Sequence, residues 1–242
     1  MEPMMQLAGD NQTDLAYQAL EDMIVTMALA PGARVVEASL MKELPFGRTP
    51  LREAMMRLAA EGLLVAQPRR GMVVRELGFA SQMKVYETRR ALELVLVPAA
   101  ARRRSAEQAR ALKRIMETFT EKLGSEDPHE LLLADRSFIA LLVSMSGNPF
   151  MRQLLPLYSL SRRFWLAYRS LFARRYRDEQ LTEFHIQIAA AVIAGDEAAA
   201  LERATAFLNF VESYTLYVGR ELAHSPVAGS PAMPPRADRG RL

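Results

Sequence analysis

The order of apolar patterns between residues 13 and 76 most restricts what this chain can fold into. Apolar side chains recur every three to four residues in residues 13–27, 37–44 and 48–61, which is the spacing of amphipathic helices. Two short β-prone runs follow, residues 63–67 and 72–76, on either side of the turn sequence PRRG. Helix, helix, helix and hairpin in this order predict a winged helix-turn-helix module.

The third predicted helix carries polar groups that a helix buried in a core would not need. Arg48, Thr49 and Arg52 cluster in its first turn, while Leu51 and Met55 lie on the opposite face. The second helix of a helix-turn-helix presents its N-terminal residues to base edges in the major groove. Arginine there can pair with guanine or hold a phosphate, and the sequence leaves both open. We expect Arg48, Thr49 and Arg52 to contact DNA.

The turn between the two β-prone runs supplies a second basic element. Arg69 and Arg70 would form the tip of the wing, and Gly71 would let the backbone approach a neighbouring groove closely. Acidic residues outnumber basic ones over residues 10–41, and basic ones predominate over residues 42–75. This asymmetry is typical of a module that binds a polyanion on one side. A solvent-exposed surface with unevenly distributed charge would explain it equally well.

From residue 79 onward only helical periodicity remains. Six segments carry it: residues 79–104, 106–123, 130–145, 151–172, 178–195 and 196–218. Several are apolar around much of their circumference, so they should pack as a bundle, with Pro156 kinking or interrupting its helix. The expected fold is therefore mainly α, with an N-terminal winged helix-turn-helix domain over residues 12–77 and an all-helical bundle of about six helices over residues 78–222. Residues 1–11 should be a flexible N-terminus, and the proline-rich residues 223–242 a disordered tail.

Several classes of protein are disfavoured by what the sequence lacks. It has no cysteine, which removes disulfides, thiolate metal sites and cysteine nucleophiles. No apolar run reaches the roughly 18 residues of a membrane span, and the N-terminus does not read as a signal peptide, so a cytoplasmic location without membrane contact is expected. No glycine-rich phosphate loop or partnered nucleophile argues for an enzyme. A helical scaffold protein that does not bind DNA stays as an alternative.

The segment ALAPGARVVEASLMKELPFGRTPLREAMMRLAAEGLLVAQPRRGMVV, residues 28–74, resembles the DNA-binding domain of GntR-type bacterial transcription regulators. The family favours a PG turn, the motif S-R-T-P-hydrophobic-R-E-A-L, then E-G-L and a basic wing that ends in glycine. The resemblance implies DNA contacts from Arg48, Thr49, Arg52 and the wing arginines. Gly47 departs from the family, which often has a serine there that would cap the helix better.

Residues 79–218 resemble the all-helical FCD effector domain of the FadR branch of that family. The matching pieces are VYETRRALE at residues 85–93, DRSFI at 135–139, SGN at 146–148, EFH at 183–185 and AGDEAAALERA at 194–204. About six helices looks more like the VanR-type subgroup. The resemblance implies a homodimer that binds an inverted-repeat operator, most commonly as a repressor, and responds to a small molecule inside the bundle.

Many FCD domains bind a divalent metal through one aspartate and three histidines. Asp135 and His185 match that pattern, but Ile139 and Phe207 stand where the other two histidines would be. Two ligands cannot hold a metal tightly, so no cofactor is expected, and a weakly held divalent metal remains the minority view. The remaining histidines, His129 and His224, would lie in a connecting loop and in the tail.

The same resemblance suggests an effector pocket of reduced polarity. Its predicted lining residues are Arg89, Asp135, Ile139, Asn148, His185 and Phe207. Arg89 could bind a carboxylate, and Arg162 and Arg163 are weaker candidates for the same role. The expected effector is a small organic or fatty acid-like molecule, and a cavity that side chains fill is the alternative.

Overall fold

The computed structural model describes residues 12–122, 128–177 and 179–224, and its chain divides into two compact units between Leu77 and Gly78. The expectations for residues 1–11 and for residues 225–242 of the expected tail therefore lie outside the described residues. Residues 223 and 224, which were also expected in the tail, belong to the last helix. Within the described residues, no helix is both long enough and apolar enough to cross a bilayer.

The N-terminal unit contains three helices and a small sheet. Its elements, in chain order, are α1 (Gln12–Val25), β1 (Arg34–Val35), α2 (Glu37–Glu43), α3 (Arg48–Ala60), β2 (Leu64–Gln67) and β3 (Gly71–Val74). The sheet order is β1-β3-β2 with both pairings antiparallel, and Val73 lies opposite Val65 on one side and Arg34 on the other. The hairpin was expected, but β1 was not.

The core of this unit forms where α1 packs against α3. Leu20 and Ile24 of α1 are buried, as are Leu51 and Leu58 of α3, because each pair recurs at helical spacing on one face. Gly62 follows α3 with a positive φ of 84°, and this left-handed conformation ends the helix.

The C-terminal unit is helical throughout the part that the structure describes. Its elements are α4 (Phe79–Arg103), α5 (Ala106–Glu121), α6 (Pro128–Met145), a short 3₁₀ helix (Pro149–Gln153), α7 (Leu154–Ala167), α8 (Arg169–Phe172), α9 (Glu179–Ala194) and α10 (Glu197–His224). Helix α4 occupies the middle, since it packs against α6, α7, α9 and most extensively α10. This arrangement confirms the predicted fold class, a winged helix-turn-helix followed by an all-helical bundle.

One predicted helix is divided in the structure. Residues 151–172 form the end of the 3₁₀ helix, then α7, a break at Tyr168, and α8. Pro156 neither kinks nor interrupts α7, because it lies in the first turn, where its missing N–H would have had no partner in the helix. The expectation for Pro156 was therefore wrong. Pro98, by contrast, lies in the interior of α4.

Candidate nucleic-acid interface and effector cavity

The N-terminal end of α3 presents its polar side chains to solvent. Gly47 is the N-cap in an extended conformation without a side-chain hydrogen bond, and Arg48, Thr49 and Arg52 are all exposed. The side chain of Arg48 is 71% exposed although its Nε lies 3.6 Å from Glu37 Oε2 of α2. The three residues that the sequence predicted as DNA contacts are therefore together and accessible within this unit.

Arg57 of the same helix has a different role from its basic neighbours. Its Nη1 lies 3.2 Å from Asp14 Oδ1 of α1, its Nε lies 3.2 Å from Glu61 Oε1, and its guanidinium covers the ring of Tyr17 at 3.8 Å. These contacts fasten α3 to α1. Arg57 is one of the basic residues that predominate over residues 42–75, yet its guanidinium pairs with acidic side chains of the same unit.

The wing tip carries the other predicted DNA contacts. Arg69 adopts a left-handed conformation with φ of 62° and Gly71 has φ of 74°, which turns the chain between β2 and β3. Arg69, Arg70 and Gly71 are exposed, and Arg70 Nη1 donates to Gln67 Oε1 at 3.4 Å. Arg75, beyond the wing, donates through Nε to the carbonyl of Gly62 and so supports the turn after α3.

The C-terminal unit contains a cavity of about 110 Å³ between its helices. Helices α4, α5, α6, α7, α9 and α10 all contribute to its lining. Four of the six predicted pocket residues line it: Arg89, Asp135, His185 and Phe207. The lining also includes residues that the sequence did not single out, chiefly Phe119, Tyr158, Phe164, Trp165, Thr182, Val211 and Tyr214.

The structure does not bring the other predicted pocket residues to this lining. Ile139 lies one turn after Asp135 on α6 but is 1% exposed within the apolar core. Asn148 caps the 3₁₀ helix, where its Oδ1 accepts a hydrogen bond from the Phe150 N–H at 3.1 Å. Of the two weaker arginine candidates, Arg162 lines the cavity, whereas Arg163 is buried elsewhere on α7.

Asp135 forms an ion pair at the wall of the cavity. Its Oδ2 accepts a hydrogen bond from Arg162 Nε of α7, and its Oδ1 lies 3.3 Å from His185 Nε2 of α9 without hydrogen-bond alignment. Burial alone would raise the pKa of Asp135, but the Arg162 guanidinium and the His185 ring together bring it below its ordinary value. Asp135 is therefore ionised at neutral pH, and its charge is balanced by Arg162.

His185 is surrounded by aromatic rings. It stacks on Phe119 with a centroid distance of 5.3 Å and meets Phe138 and Phe207 at 5.1 Å each. Burial lowers the pKa of His185, and the attraction of Asp135 does not offset that effect. The imidazole is consequently neutral at pH 7.

Arg89 is also already paired. Its Nε donates to Glu93 Oε1 at 2.7 Å, both side chains are almost fully buried, and the guanidinium lies 3.9 Å from the ring centre of Tyr158. Burial lowers the pKa of Arg89, but Glu93 more than compensates, so the guanidinium keeps its charge. Burial and the Glu93 carboxylate raise the pKa of Tyr158, whose hydroxyl stays protonated.

The residues at this wall do not fit the metal ion that many FCD domains hold. The described residues contain no group of three histidine, aspartate or glutamate side chains placed to bind one ion. The guanidinium of Arg162 already neutralises Asp135, and Phe207 packs its ring on His185 where a further ligand would be needed. Of the other histidines, residue 129 belongs to α6 rather than to a loop. His224 ends α10, where its Nδ1 lies 2.7 Å from the Arg220 carbonyl oxygen.

The two units together define a class of protein. An exposed basic helix end beside a basic wing is typical of proteins that bind duplex DNA. The second unit is an all-helical bundle with a cavity between its helices. Comparison with known families agrees: residues 12–74 match the gntR family of bacterial regulatory proteins and residues 84–210 match the FCD domain. The chain belongs to the GntR family with an FCD domain, and it is a DNA-binding transcriptional regulator rather than an enzyme.

Individual relatives support this assignment. The chain is 32% identical to the Nta operon transcriptional regulator of Aminobacter aminovorans, over 74% of this chain and 83% of that one. It is 30% identical to an uncharacterised regulator from the TAR-I ttuE-ttuC' intergenic region of Agrobacterium vitis, over 61% of this chain and 91% of that one. The structure of E. coli McbR/YncC matches 88% of this chain and 100% of its own with a TM-score of 0.71 at 20% identity, which shows a shared fold. The VanR-type subgroup stays a prediction.

Proposed function

We propose that this protein is a ligand-responsive repressor that binds an inverted-repeat operator as a homodimer. Each copy would place the N-terminal end of α3 in the major groove and its wing against the neighbouring backbone. A small molecule in the cavity of the helical unit would change the affinity for the operator, which requires that it bind one arrangement of the protein better than another. Proteins of this family are generally dimeric, which supports the assembly, and a cytoplasmic location accords with the role.

The DNA-binding part of this proposal is supported by the exposure of basic side chains at the N-terminal end of α3. Arg52 is exposed and makes no ion pair within the described residues, in contrast to Arg57 on the same helix. A side chain left free at a helix N-terminus is available for a guanine or a phosphate, and the positive end of the helix dipole adds to the attraction. Arg48, Thr49 and the wing arginines would extend the same contact surface.

The proposed response to a ligand is supported by the cavity of the helical unit. It lies between six helices, and its lining surface is mainly apolar and aromatic with a few polar groups, as is usual for small-molecule sites. Its volume of about 110 Å³ is of the same order as the roughly 150 Å³ of a cavity that admits benzene. A small organic molecule matches this volume better than a long fatty acid does.

A selection from a random duplex library, followed by fluorescence anisotropy on the selected sequence, tests the DNA-binding proposal. Arg52→Ala should weaken binding by about tenfold or more, because one specific arginine contact contributes roughly 1–3 kcal/mol. Arg110→Ala removes an exposed charge from α5 of the other unit and is the matched control. Equal affinities of both variants and the parent protein would contradict the assignment of α3 as the reading helix.

Repression needs a separate measurement. A reporter gene placed downstream of the selected operator in a heterologous host should be expressed less when the protein is present, and the Arg52→Ala variant should restore expression. Increased expression with the parent protein would make it an activator and leave the DNA-binding assignment intact.

A further inference from the structure

We infer that the cavity of the helical unit binds a neutral, single-ring molecule that carries a hydrogen-bond acceptor, and that it rejects anions of the same shape. This inference rests on the proposed ligand-responsive function and assigns the chemical class of its effector. Three features of the cavity support it: the pairing of its charges, the nature and size of its lining, and two buried hydrogen-bond donors without partners among the described residues.

Each charged group at the cavity is balanced by another within the protein. Arg162 pairs with Asp135, and Arg89 pairs with Glu93. A carboxylate ligand would have to displace Asp135 or Glu93 from its arginine, which would leave a buried carboxylate without a partner, or bring an uncompensated charge into a low-dielectric space. A neutral ligand avoids both costs, and the protein needs no metal ion to neutralise Asp135.

The surface that a ligand would meet is largely aromatic. Phe119 and Phe207 pack on His185 at one wall, and Phe164, Trp165 and Tyr214 lie at another. Rings favour stacked or edge-on contacts with other rings, and the cavity volume of about 110 Å³ is of the size of a single small ring. A flat neutral ring therefore fits the space and the contacts better than a flexible chain.

Three residues of this lining have a buried polar atom that lacks a hydrogen-bond partner among the described residues. One is His185, whose Nε2 lies 3.3 Å from Asp135 Oδ1. The other two are donors: the Nε1 of Trp165 on α7 and the hydroxyl of Tyr214 on α10, a residue that is 4% exposed. Burial raises the pKa of Tyr214, so its hydroxyl keeps its proton and can donate. An unsatisfied buried donor is costly, so a small shift of either side chain toward an acceptor oxygen of the ligand would remove that cost. The donors therefore select a ring with an acceptor over a plain hydrocarbon.

The protein contains its own reporter for a binding experiment. Trp165 is the single tryptophan of the chain and lines the cavity, so a ligand that enters should change its fluorescence. Benzamide and benzoate are the probes, because they have nearly the same shape and differ in charge. At pH 7.5 benzamide should change the Trp165 emission saturably, and benzoate should bind at least about tenfold more weakly because its charge must be desolvated.

A pair of tyrosine variants tests the role of the unpaired hydroxyl. Tyr214→Phe keeps the ring and removes the donor, so it should weaken benzamide binding by about threefold to tenfold, as expected for one hydrogen bond, while toluene binding stays the same. Tyr217→Phe is the control, since Tyr217 lies on the same helix outside the cavity lining. Thermal unfolding of each variant shows whether the fold is retained.

The results separate this inference from the proposed function. Benzoate binding as tightly as benzamide, or neither probe binding, would overturn the assignment of a neutral ring ligand. Operator binding without any ligand, measured on the same samples, reports on the regulator itself. If the protein binds its operator but neither probe, only the ligand class is wrong; if it binds no DNA, the proposed function fails.

Discussion

Asp135 keeps its negative charge inside a largely aromatic wall because a single residue, Arg162, lies against it. The two side chains are only 15% and 10% exposed, so water contributes little to their stability as separate ions. In such a pair the cost of removing both charges from water is close to the gain from their attraction. The pair therefore fixes the arrangement of α6 against α7 more than it adds net stability.

Removal of one partner should be far more costly than removal of both. Arg162→Leu leaves the Asp135 carboxylate buried and unpaired, and we expect it to lower the free energy of unfolding by about 3 kcal/mol. The double variant Arg162→Leu with Asp135→Leu should recover most of that loss, because no buried charge remains. Urea unfolding of both variants measures the difference. A double variant as unstable as the single one would show that the pair contributes real stability.

Protonation of His185 should make the protein less stable in mild acid. Its pKa is lowered by burial while Asp135 raises it and Arg89 and Arg162 lower it, so the unfolded chain takes up this proton at a higher pH than the folded one. Stability is then lost as the pH falls below about 6.5, by up to about 1.4 kcal/mol per pH unit. Urea unfolding from pH 7.5 to 5.5 should show this slope. His185→Gln should reduce it, whereas His224→Gln, at an exposed site, should not.

Residue roles were predictable where they depend on motif spacing and not where they depend on packing. Arg89, Asp135, His185 and Phe207 were predicted from their positions in family motifs, and all four line the cavity. The partner of Asp135 could not be predicted, because Arg162 is 27 residues away and several arginines were candidates. The unpaired donors of Trp165 and Tyr214 could not be predicted from the sequence, because whether a donor finds a hydrogen-bond partner depends on its neighbours in the folded protein.

Helix α3 is bounded by two glycines that act in opposite ways. Gly47 begins the helix with φ of −72°, which any residue can adopt, and a Cβ added there would come no closer than 3.9 Å to another heavy atom, Pro50 Cδ. Gly62 ends it with φ of 84°, a conformation that disfavours other residues. The same substitution should therefore have opposite effects at the two ends.

Gly47→Ser should stabilise the protein by roughly 0.5 kcal/mol or less, since serine can accept a hydrogen bond from the first turn of α3. Gly62→Ser should destabilise it by about 1 kcal/mol, because serine is strained at positive φ. The midpoints of thermal unfolding for the two variants measure both effects. Shifts of the same sign would show that capping does not control the ends of this helix.

The helices and the hairpin were predictable because each has a local sequence signal: apolar spacing for the helices, and two β-prone runs around a turn for the hairpin. Strand β1 was not, since it has two residues and exists only through its pairing with β3, where Arg34 lies opposite Val73. The break at Tyr168 was missed for a related reason: the apolar pattern of residues 151–172 continues across it without a glycine or proline. The local sequence therefore predicts the main helices and strands. Short elements such as β1 and breaks such as the one at Tyr168 depend on tertiary packing.

Within the part of the chain that the structure describes, one copy offers a single short helix for reading DNA and a single wing. A single module of this kind buries roughly 600–1,000 Å² on DNA, which gives limited affinity. A homodimer doubles the number of protein–DNA contacts. Once one subunit is bound, the other subunit binds the second half-site at a high effective concentration. The proposed dimer should therefore bind a symmetric operator more tightly than a single half-site.

We expect a duplex with two inverted half-sites to bind about 100-fold more tightly, at equal salt, than one in which a half-site is scrambled. Five additional base pairs between the half-sites should remove this gain, because half a helical turn places the second site on the opposite face of the DNA. Fluorescence anisotropy on the three duplexes measures the effect, with Arg52→Ala as the control that loses affinity for all of them. If the scrambled duplex binds as tightly as the intact one, a single copy is sufficient, and the symmetric operator is wrong even though α3 reads DNA.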